Sequence, residues 1–233
     1  MERIALIVAG GSGIRFNSTT PKQFIPIAGK PVLMHSIDAF HSCSSEIKIV
    51  VSLPGDSFNL WDDLCRQYNF TVPHTIVEGG ETRFHSVKNG INRIAECMTH
   101  GDEDFMIAVH DGVRPLITPE MIVRLFEYAE THGNAVPAIP INDSVREKIT
   151  DAISHSVERK KLRVIQTPQC FKLSTLRKAY MLPYNEDFTD DANVVGTIIG
   201  EKIHLVEGDI ENLKITRPVD FKVAQVLLNE KMS

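Results

Sequence analysis

Gly10, Gly11 and Gly13, then Arg15, then Lys22 behind Pro21 stand close together near the start of the chain. Glycines that follow a buried strand make a loop whose backbone N–H groups can approach an anion without side-chain obstruction. Arg15 is permanently charged, and Pro21 restricts the backbone that leads into Lys22. Two cations beside such a loop suit a triphosphate whose reacting phosphorus must lose charge repulsion before it is attacked. Taken alone, the loop also reads as a glycine turn with two solvated cations. It is not a P-loop, because no Lys-Ser or Lys-Thr follows the glycines. It is a poor dinucleotide fingerprint, because Phe16 stands at the third glycine position and the second strand ends in Ser52-Leu53-Pro54 rather than an acid.

A second cluster, His110-Asp111-Gly112-Val113-Arg114-Pro115, follows an apolar run. That places Asp111 at the carboxyl edge of a sheet, where open α/β sheets bind ligands. An acid beside a phosphate loop is the hard oxygen ligand that Mg²⁺ takes together with phosphate oxygens. Asp111 as a turn cap paired with Arg114 is the competing reading. Three further clusters sit at strand-to-helix or loop junctions: Gly79-Gly80-Glu81-Thr82-Arg83 with Ser86 after it, Gln166-Thr167-Pro168-Gln169, and Asn212-Leu213-Lys214-Ile215-Thr216-Arg217-Pro218. Polar side chains and a cation at such junctions are what a site for a nucleotide and a second phosphorylated substrate requires.

The elements that must position these groups follow from apolar periodicity. Ile4–Ala9, Ile47–Leu53, His74–Val77, Phe105–Val109 and Val164–Leu173 read as strands. Helices are expected over Pro31–Phe40, Phe58–Tyr68, Thr82–Met98, Ser174–Met181, Asp190–Ile199 and Arg217–Glu230. Another opens with Thr118 as N-cap and Pro119 at its first position and runs to Gly133 as its C-terminal cap. Alternating strands and helices predict a Rossmann-like α/β fold, a mostly parallel sheet with helices on both faces. Residues 142–161, polar and weakly alternating, fit an extended β-arm that leaves the body and finds its burial on a partner subunit; a flexible surface insertion is the alternative. One domain over residues 1–233 with this arm is the economical division.

Composition narrows the classes. The chain has 233 residues, 42% apolar and 24% charged, enough for one full core. A net charge of −5 with scattered Lys and Arg gives no basic stripe for nucleic acid. Cys43, Cys65, Cys97 and Cys170 are far apart, without a CxxC pair, and no HExxH occurs, so neither a zinc site nor a redox dithiol is indicated. No apolar run approaches the roughly 18 residues of a membrane span, and Glu2 and Arg3 do not resemble a signal peptide, so the expected location is the cytoplasm.

The set AGGSGIRF, PKQF, GGETRFHSV, HDGVRP, VERKKL, QTPQCF and NLKITRP resembles the 2-C-methyl-D-erythritol 4-phosphate cytidylyltransferases of the non-mevalonate isoprenoid pathway, in order and over nearly the whole chain. The related ribitol 5-phosphate cytidylyltransferases share the first loop, the HD-x-x-RP element and the TPQ element. Val157-Glu158-Arg159 in the arm and the closing KITRP favour the erythritol enzymes. The resemblance implies a nucleotide-diphospho-sugar transferase-like fold, a Mg²⁺-dependent reaction of CTP with methylerythritol phosphate, and a homodimer that exchanges its arms. It places Ala9, Gly10, Gly11 and Gly13 around CTP, Arg15 and Lys22 at the α-phosphate, Arg83 and Ser86 near the base and ribose, Asp111 near metal and triphosphate, and Gly112 close to the ribose. Arg114, Thr167, Thr189 and Lys214 would face the acceptor, and Ser144 and Arg159 would enter the partner's site.

This chain departs from the pattern where the first loop reads Val8-Ala9-Gly10-Gly11 in place of a stretch with two alanines, a change at the strand end that leaves the N–H groups in place, where Gly112 stands for a common alanine, and where Glu211 stands for an expected aspartate; Glu211 is given no metal role. His110 reads as a hydrogen-bonded histidine at a strand end, since the attacking phosphate has no proton to lose. A glycosyltransferase would show a D-x-D motif after a central strand, and a single acid stands there. A silent nucleotide binder would have no use for Arg15, Lys22 and Lys214 together.

Overall fold

The computed structural model describes residues 1–11, 20–97 and 104–232. Strand β1 (Glu2–Val8) leads into the short antiparallel pair β2 (Pro26–Ile27) and β3 (Lys30–Pro31), then helix α1 (Val32–Cys43), β4 (Lys48–Leu53), α2 (Phe58–Gln67), β5 (Thr75–Glu78) and α3 (Arg83–Cys97). After β6 (Phe105–Asp111) and α4 (Pro119–His132) come β7 (Asn134–Pro140), β8 (Arg146–Lys148), β9 (Ser154–Ser156), β10 (Arg163–Ile165), β11 (Gln169–Lys172), α5 (Leu173–Tyr180), α6 (Asp191–Ile199), β12 (Leu205–Glu207) and α7 (Pro218–Met232). The main sheet runs β10-β7-β11-β6-β1-β4-β5, with β12 on the other edge of β7. Strands β5, β4, β1 and β6 are mutually parallel, and β11 enters antiparallel beside β6.

Strand parity builds a core on each face. Ile4, Leu6 and Val8 of β1, with Val50, Ile107 and Val109, meet Phe84, Val87, Ile91 and Ile94 of α3 and the apolar sides of α5 and α6. Ala5 and Ile7, with Ile49, Val51, Met106 and Ala108, meet Leu33, Ile37 and Phe40 of α1, Trp61 of α2, and Leu125 and Phe126 of α4. Both faces being covered, β1 and β6 read as continuous apolar runs rather than alternating ones. Helix α3 lies close enough to β1 that a Cβ at Gly90 would collide with Leu6 Cδ1.

The caps of α4 lie where the sequence puts them. Thr118 accepts from the Met121 N–H, and Gly133 ends the helix at φ +95°. Strand β7 follows at once, although the sequence reading has no strand there; Pro137 and Pro140 argue against one. The expected continuous strand Val164–Leu173 is broken at Gln166–Pro168. From Ile165 to Cys170 the chain takes five steps while the partner strand takes three, from Ala138 to Ala135. The Gln166 N–H still donates to Pro137 O at 2.8 Å, but Pro168 has no N–H to give, and the side chains of Gln166 and Thr167 turn into buried polar contacts.

The segment 142–161 carries a two-stranded sheet of its own. Its strands β8 and β9 pair with each other, in the register Glu147 to His155, and among the described residues with no other strand. Ile149 and Ile153 at its tip are exposed.

Candidate active site

The carboxyl ends of β1 and β6, the loop 79–82 and the start of α3 enclose a pocket of about 330 Å³. Ala9 continues β1 by donating its N–H to Ser52 O at 2.9 Å, and its carbonyl accepts from Gln23 Nε2 at 2.8 Å. The chain then opens into Gly10 and Gly11, both exposed. Lys22 starts the 3-10 turn Lys22–Phe24 behind Pro21, and its Nζ donates to Ile215 O at 2.9 Å. A Cβ on Gly11 would lie 3.7 Å from Lys22 Cε, so the lysine stem runs beside the glycine loop.

Ser86 closes the opposite wall. Its Oγ accepts from the Gly80 N–H at 3.1 Å and donates to Thr82 O at 3.0 Å, which ties the first turn of α3 to the Gly79-Gly80 loop. A Cβ on Gly79 would stand 3.1 Å from that oxygen.

Asp111 occupies the floor. Its Oδ1 accepts from Arg83 Nε at 3.1 Å, and its Oδ2 lies 3.0 Å from Lys214 Nζ and 3.5 Å from Arg114 Nε. Burial alone would raise this carboxyl, but Arg83, then Lys214 and Arg114, outweigh it and hold Asp111 well below the usual carboxylate range. Arg83 is in turn paired through both terminal nitrogens with the fully buried Asp191, at 3.0 and 2.7 Å. Burial works against the Arg83 charge, while Asp191 and Asp111 raise its pKa well above the ordinary value. Three cations thus face two carboxylates, a net of one positive charge before Lys22 is counted.

Behind the floor, the Asp111 N–H donates to Thr167 Oγ1 at 3.0 Å, and Thr167 Oγ1 lies 3.2 Å from His110 Nδ1. His110 Nε2 meets Arg114 O at 3.3 Å. A carbonyl only accepts, so Nε2 carries the hydrogen and Nδ1 accepts from the Thr167 hydroxyl. Burial lowers the His110 pKa to about 3, which keeps the ring neutral. Arg114 Nη1 donates to Asn212 O at 2.7 Å, so the closing segment is tied to the same floor.

Of the residues singled out from sequence, Ala9, Gly10, Gly11, Lys22, Arg83, Ser86, Asp111 and Lys214 line one pocket. Arg114 and Thr167 support its floor from below. Gly112 sits under Ala9, where a Cβ would come within 3.1 Å of the Ala9 Cβ and 2.8 Å of Leu33 Cδ1. Gly13 and Arg15 lie outside the described residues. Thr189 is exposed ahead of α6 and is not part of the pocket lining. Ser144 and Arg159 are exposed in the segment that carries β8 and β9, away from the pocket lining, and Arg159 Nη1 donates to Asn142 O. Glu211 pairs with Lys231 at 3.0 Å.

Sequence reading missed Asp191, Tyr180 and Gln23. Asp191 is the second acid of the Asp190-Asp191 pair; Asp190 caps α6 by accepting from the Asn193 N–H, and Asp191 accepts from the Tyr180 hydroxyl at 2.6 Å. Gln23 lies in the quoted PKQF, is 1% exposed, lines the pocket, and leaves its Oε1 without a partner among the described residues.

Among the described residues no group of three or more His, Cys, Asp or Glu side chains converges as a metal cage. The carboxylates that line the pocket are Asp111 and Glu81. Mg²⁺ takes one or two carboxylates and completes its shell with water and substrate phosphates. The hard oxygen donors here fit a metal of that kind, with Asp111 Oδ2, held by the 39% exposed Lys214 side chain, as the exchangeable contact.

The family model for IspD, 2-C-methyl-D-erythritol 4-phosphate cytidylyltransferase, matches residues 3–230. A 2-C-methyl-D-erythritol 4-phosphate cytidylyltransferase of Bacteroides fragilis is 44% identical over 228 residues, covering 98% of this chain and 100% of the relative. The enzyme of the same name from Bacteroides thetaiotaomicron is 43% identical over the same span, with the same coverage. A crystal structure of 4-diphosphocytidyl-2C-methyl-D-erythritol synthase superposes with a TM-score of 0.80 at 30% identity, covering 97% of this chain and 98% of that one. With its fold and nearly its whole length in common with these proteins, the chain belongs to the 2-C-methyl-D-erythritol 4-phosphate cytidylyltransferase family.

Proposed function

We propose that this pocket joins CTP to 2-C-methyl-D-erythritol 4-phosphate by in-line attack on the α-phosphorus, giving 4-diphosphocytidyl-2-C-methyl-D-erythritol and pyrophosphate. The observation that carries the reading is the convergence of Lys22, Arg83, Lys214 and Asp111 beside the glycine loop at the carboxyl edge of β1 and β6. The attacking phosphate oxygen is already an anion near neutral pH, so no protein nucleophile is needed; positioning and electrostatic stabilisation carry the reaction.

In this reading Ala9, Gly10, Gly11 and Gly13 wrap the triphosphate, and Lys22 and Arg15 screen charge at the α-phosphorus. Ser86 holds the wall beside the base, and Gly112, packed beneath Ala9 where a Cβ would collide, lets the floor sit close to the ribose. Arg83 already shares its guanidinium between Asp111 and Asp191, so it serves the ribose side by orienting Asp111. Lys214 leaves Asp111 to bind the acceptor phosphate, with Arg114, Thr167 and Thr189 on the acceptor side. A divalent cation such as Mg²⁺, when bound with CTP, supplies charge neutralisation at the phosphates. The arm reaches a second copy of the chain in a homodimer and brings Ser144 and Arg159 to the partner's acceptor. The exposed arm, paired only with itself among the described residues, supports this part.

The test is pyrophosphate release from the purified protein with CTP and Mg²⁺, comparing methylerythritol phosphate with ribitol 5-phosphate, and CTP with ATP, GTP and UTP. Turnover with CTP and methylerythritol phosphate alone is the expected result. Preference for ribitol 5-phosphate would overturn the acceptor assignment while keeping the mechanism, and silence with both would remove the reading.

A further inference from the structure

Arg83 is gripped from two sides. Its terminal nitrogens form a two-pronged pair with Asp191, and its Nε donates to Asp111 Oδ1. Asp191 is 0% exposed and does not line the pocket, so among the described residues it reaches the site through Arg83. Tyr180, itself 2% exposed, donates its hydroxyl to Asp191 Oδ1 at 2.6 Å, and its ring stacks on Phe84, the neighbour of Arg83, at 4.6 Å between centroids. Helix α5 thus braces the first residue of α6, which braces the first residue of α3.

We infer that Asp191 is a positioning residue, which fixes Arg83 and, through Arg83 Nε, fixes Asp111 Oδ1, so that Asp111 Oδ2 alone is left to change partners during the reaction. The two oxygens of Asp111 differ in the required way. Oδ1 faces a guanidinium whose other nitrogens are taken by a buried carboxylate. Oδ2 faces the partly exposed Lys214, with Arg114 at a longer 3.5 Å. A bare guanidinium fork is a strong phosphate binder. Asp191 occupies that fork and keeps Arg83 from seizing the triphosphate in an unproductive pose. The inference rests on the proposed use of the pocket for CTP, and it makes a prediction that a purely structural role does not: removing Asp191 slows turnover without weakening nucleotide binding.

The experiment pairs Asp191→Asn and Tyr180→Phe with Arg83→Ala in double-mutant cycles. CTP affinity is measured by calorimetry without acceptor, turnover by pyrophosphate release, and coupling also by melting temperature. Asp191→Asn is expected to lower kcat by about 10²-fold, the scale of a misplaced catalytic group, with CTP bound as tightly as by wild type or more so. Added to Arg83→Ala, it should cost nothing further. Tyr180→Phe should show the same pattern, several-fold smaller. Weakened CTP binding with kcat retained, or losses that multiply with those of Arg83→Ala, would overturn the inference. If Asp191→Asn does not fold, Tyr180→Phe decides it, and wild-type kcat in that variant overturns it. A wild-type protein that binds CTP but turns over no acceptor would sink the functional reading, while the binding and melting cycles would still decide the role of Asp191.

Discussion

Replacing Asp111 by Asn removes one of the two negative charges that face Arg83, Arg114 and Lys214. The side chain keeps its size, and one oxygen can still accept from Arg83, but the new NH₂ points a donor at donors. Breaking a buried pair by removing one partner costs about 3–5 kcal/mol. Arg83 retains Asp191, and the Arg83 and Lys214 side chains are 25% and 39% exposed, so solvent screens part of the loss and the lower end applies, about 3 kcal/mol. For a domain of this size each kcal/mol moves the melting temperature by about 2–4 °C, so the variant should melt roughly 6–12 °C below wild type at neutral pH. The pH dependence follows from the sign of the shift. The folded pKa lies below the unfolded value, so the Asp111 contribution is fully present above about pH 4 and is lost as pH falls toward the native value. The gap between variant and wild type should be flat from about pH 5 to 8 and close in acid. Calorimetric melting across that range is the assay, repeated with inorganic pyrophosphate, which should stabilise the more positive variant the more. A neutral-pH melting temperature within about a degree of wild type would refute the account of the floor as an ion cluster centred on Asp111.

Lys22→Met keeps the stem beside Gly11 and removes the charge; kcat at saturating substrates should fall by about 10²–10³, and an unchanged kcat with a raised KM would contradict the transition-state role. The lost hydrogen bond to Ile215 O costs about 1 kcal/mol, so the fold should persist. His110 stays neutral down to about pH 3, so the pH profile of kcat between 5 and 8 should carry no limb that His110→Asn removes. Because its folded pKa lies below the unfolded one, its contribution to stability is complete above about pH 6.5 and erodes on acidification; His110→Asn should flatten that part of an acid-unfolding curve. Arg159→Ala on the exposed arm should lower kcat/KM for the acceptor and leave CTP binding and melting unchanged. If the arm serves a second copy, mixing unfolded Arg159→Ala and Lys22→Met chains and refolding them together should restore about a quarter of wild-type activity, since half the dimers then hold one complete site; no recovery would speak against arm exchange.

The parts of this site that were legible from sequence are those written in local pattern. The apolar run of β1 ends at glycines, the run of β6 ends at Asp111, and Thr118-Pro119 opens α4, because buried strands and caps leave their signature within a few residues. Asp191 was illegible for the opposite reason: its partner Arg83 lies 108 positions away, and nothing beside Asp191 marks it as buried rather than as a second cap beside Asp190. Strand β7 was hidden by Pro137 and Pro140, which weaken a strand when read singly; here β12 and β10 flank it on its two edges. The run from Val164 to Leu173 looked unbroken because apolar residues stand on both sides of Gln166–Pro168, where the side chains of Thr167 and Gln166 make contacts to Asp111 and Asp209.

Strand β1 is made first and sits at the centre of the parallel strands, between β4 and β6. During synthesis it must therefore wait, apolar on both faces, for a neighbour translated about a hundred residues later, roughly 5–20 s at ordinary elongation rates. The bond from Lys22 to Ile215 O and the pair of Lys214 with Asp111 lie later still. A ribosome-bound chain that stops short of residue 215 has the glycine loop and most of the sheet but no finished floor to its pocket. Binding of nucleotide can thus reward only a chain in which residues 214 and 215 have already docked on the floor.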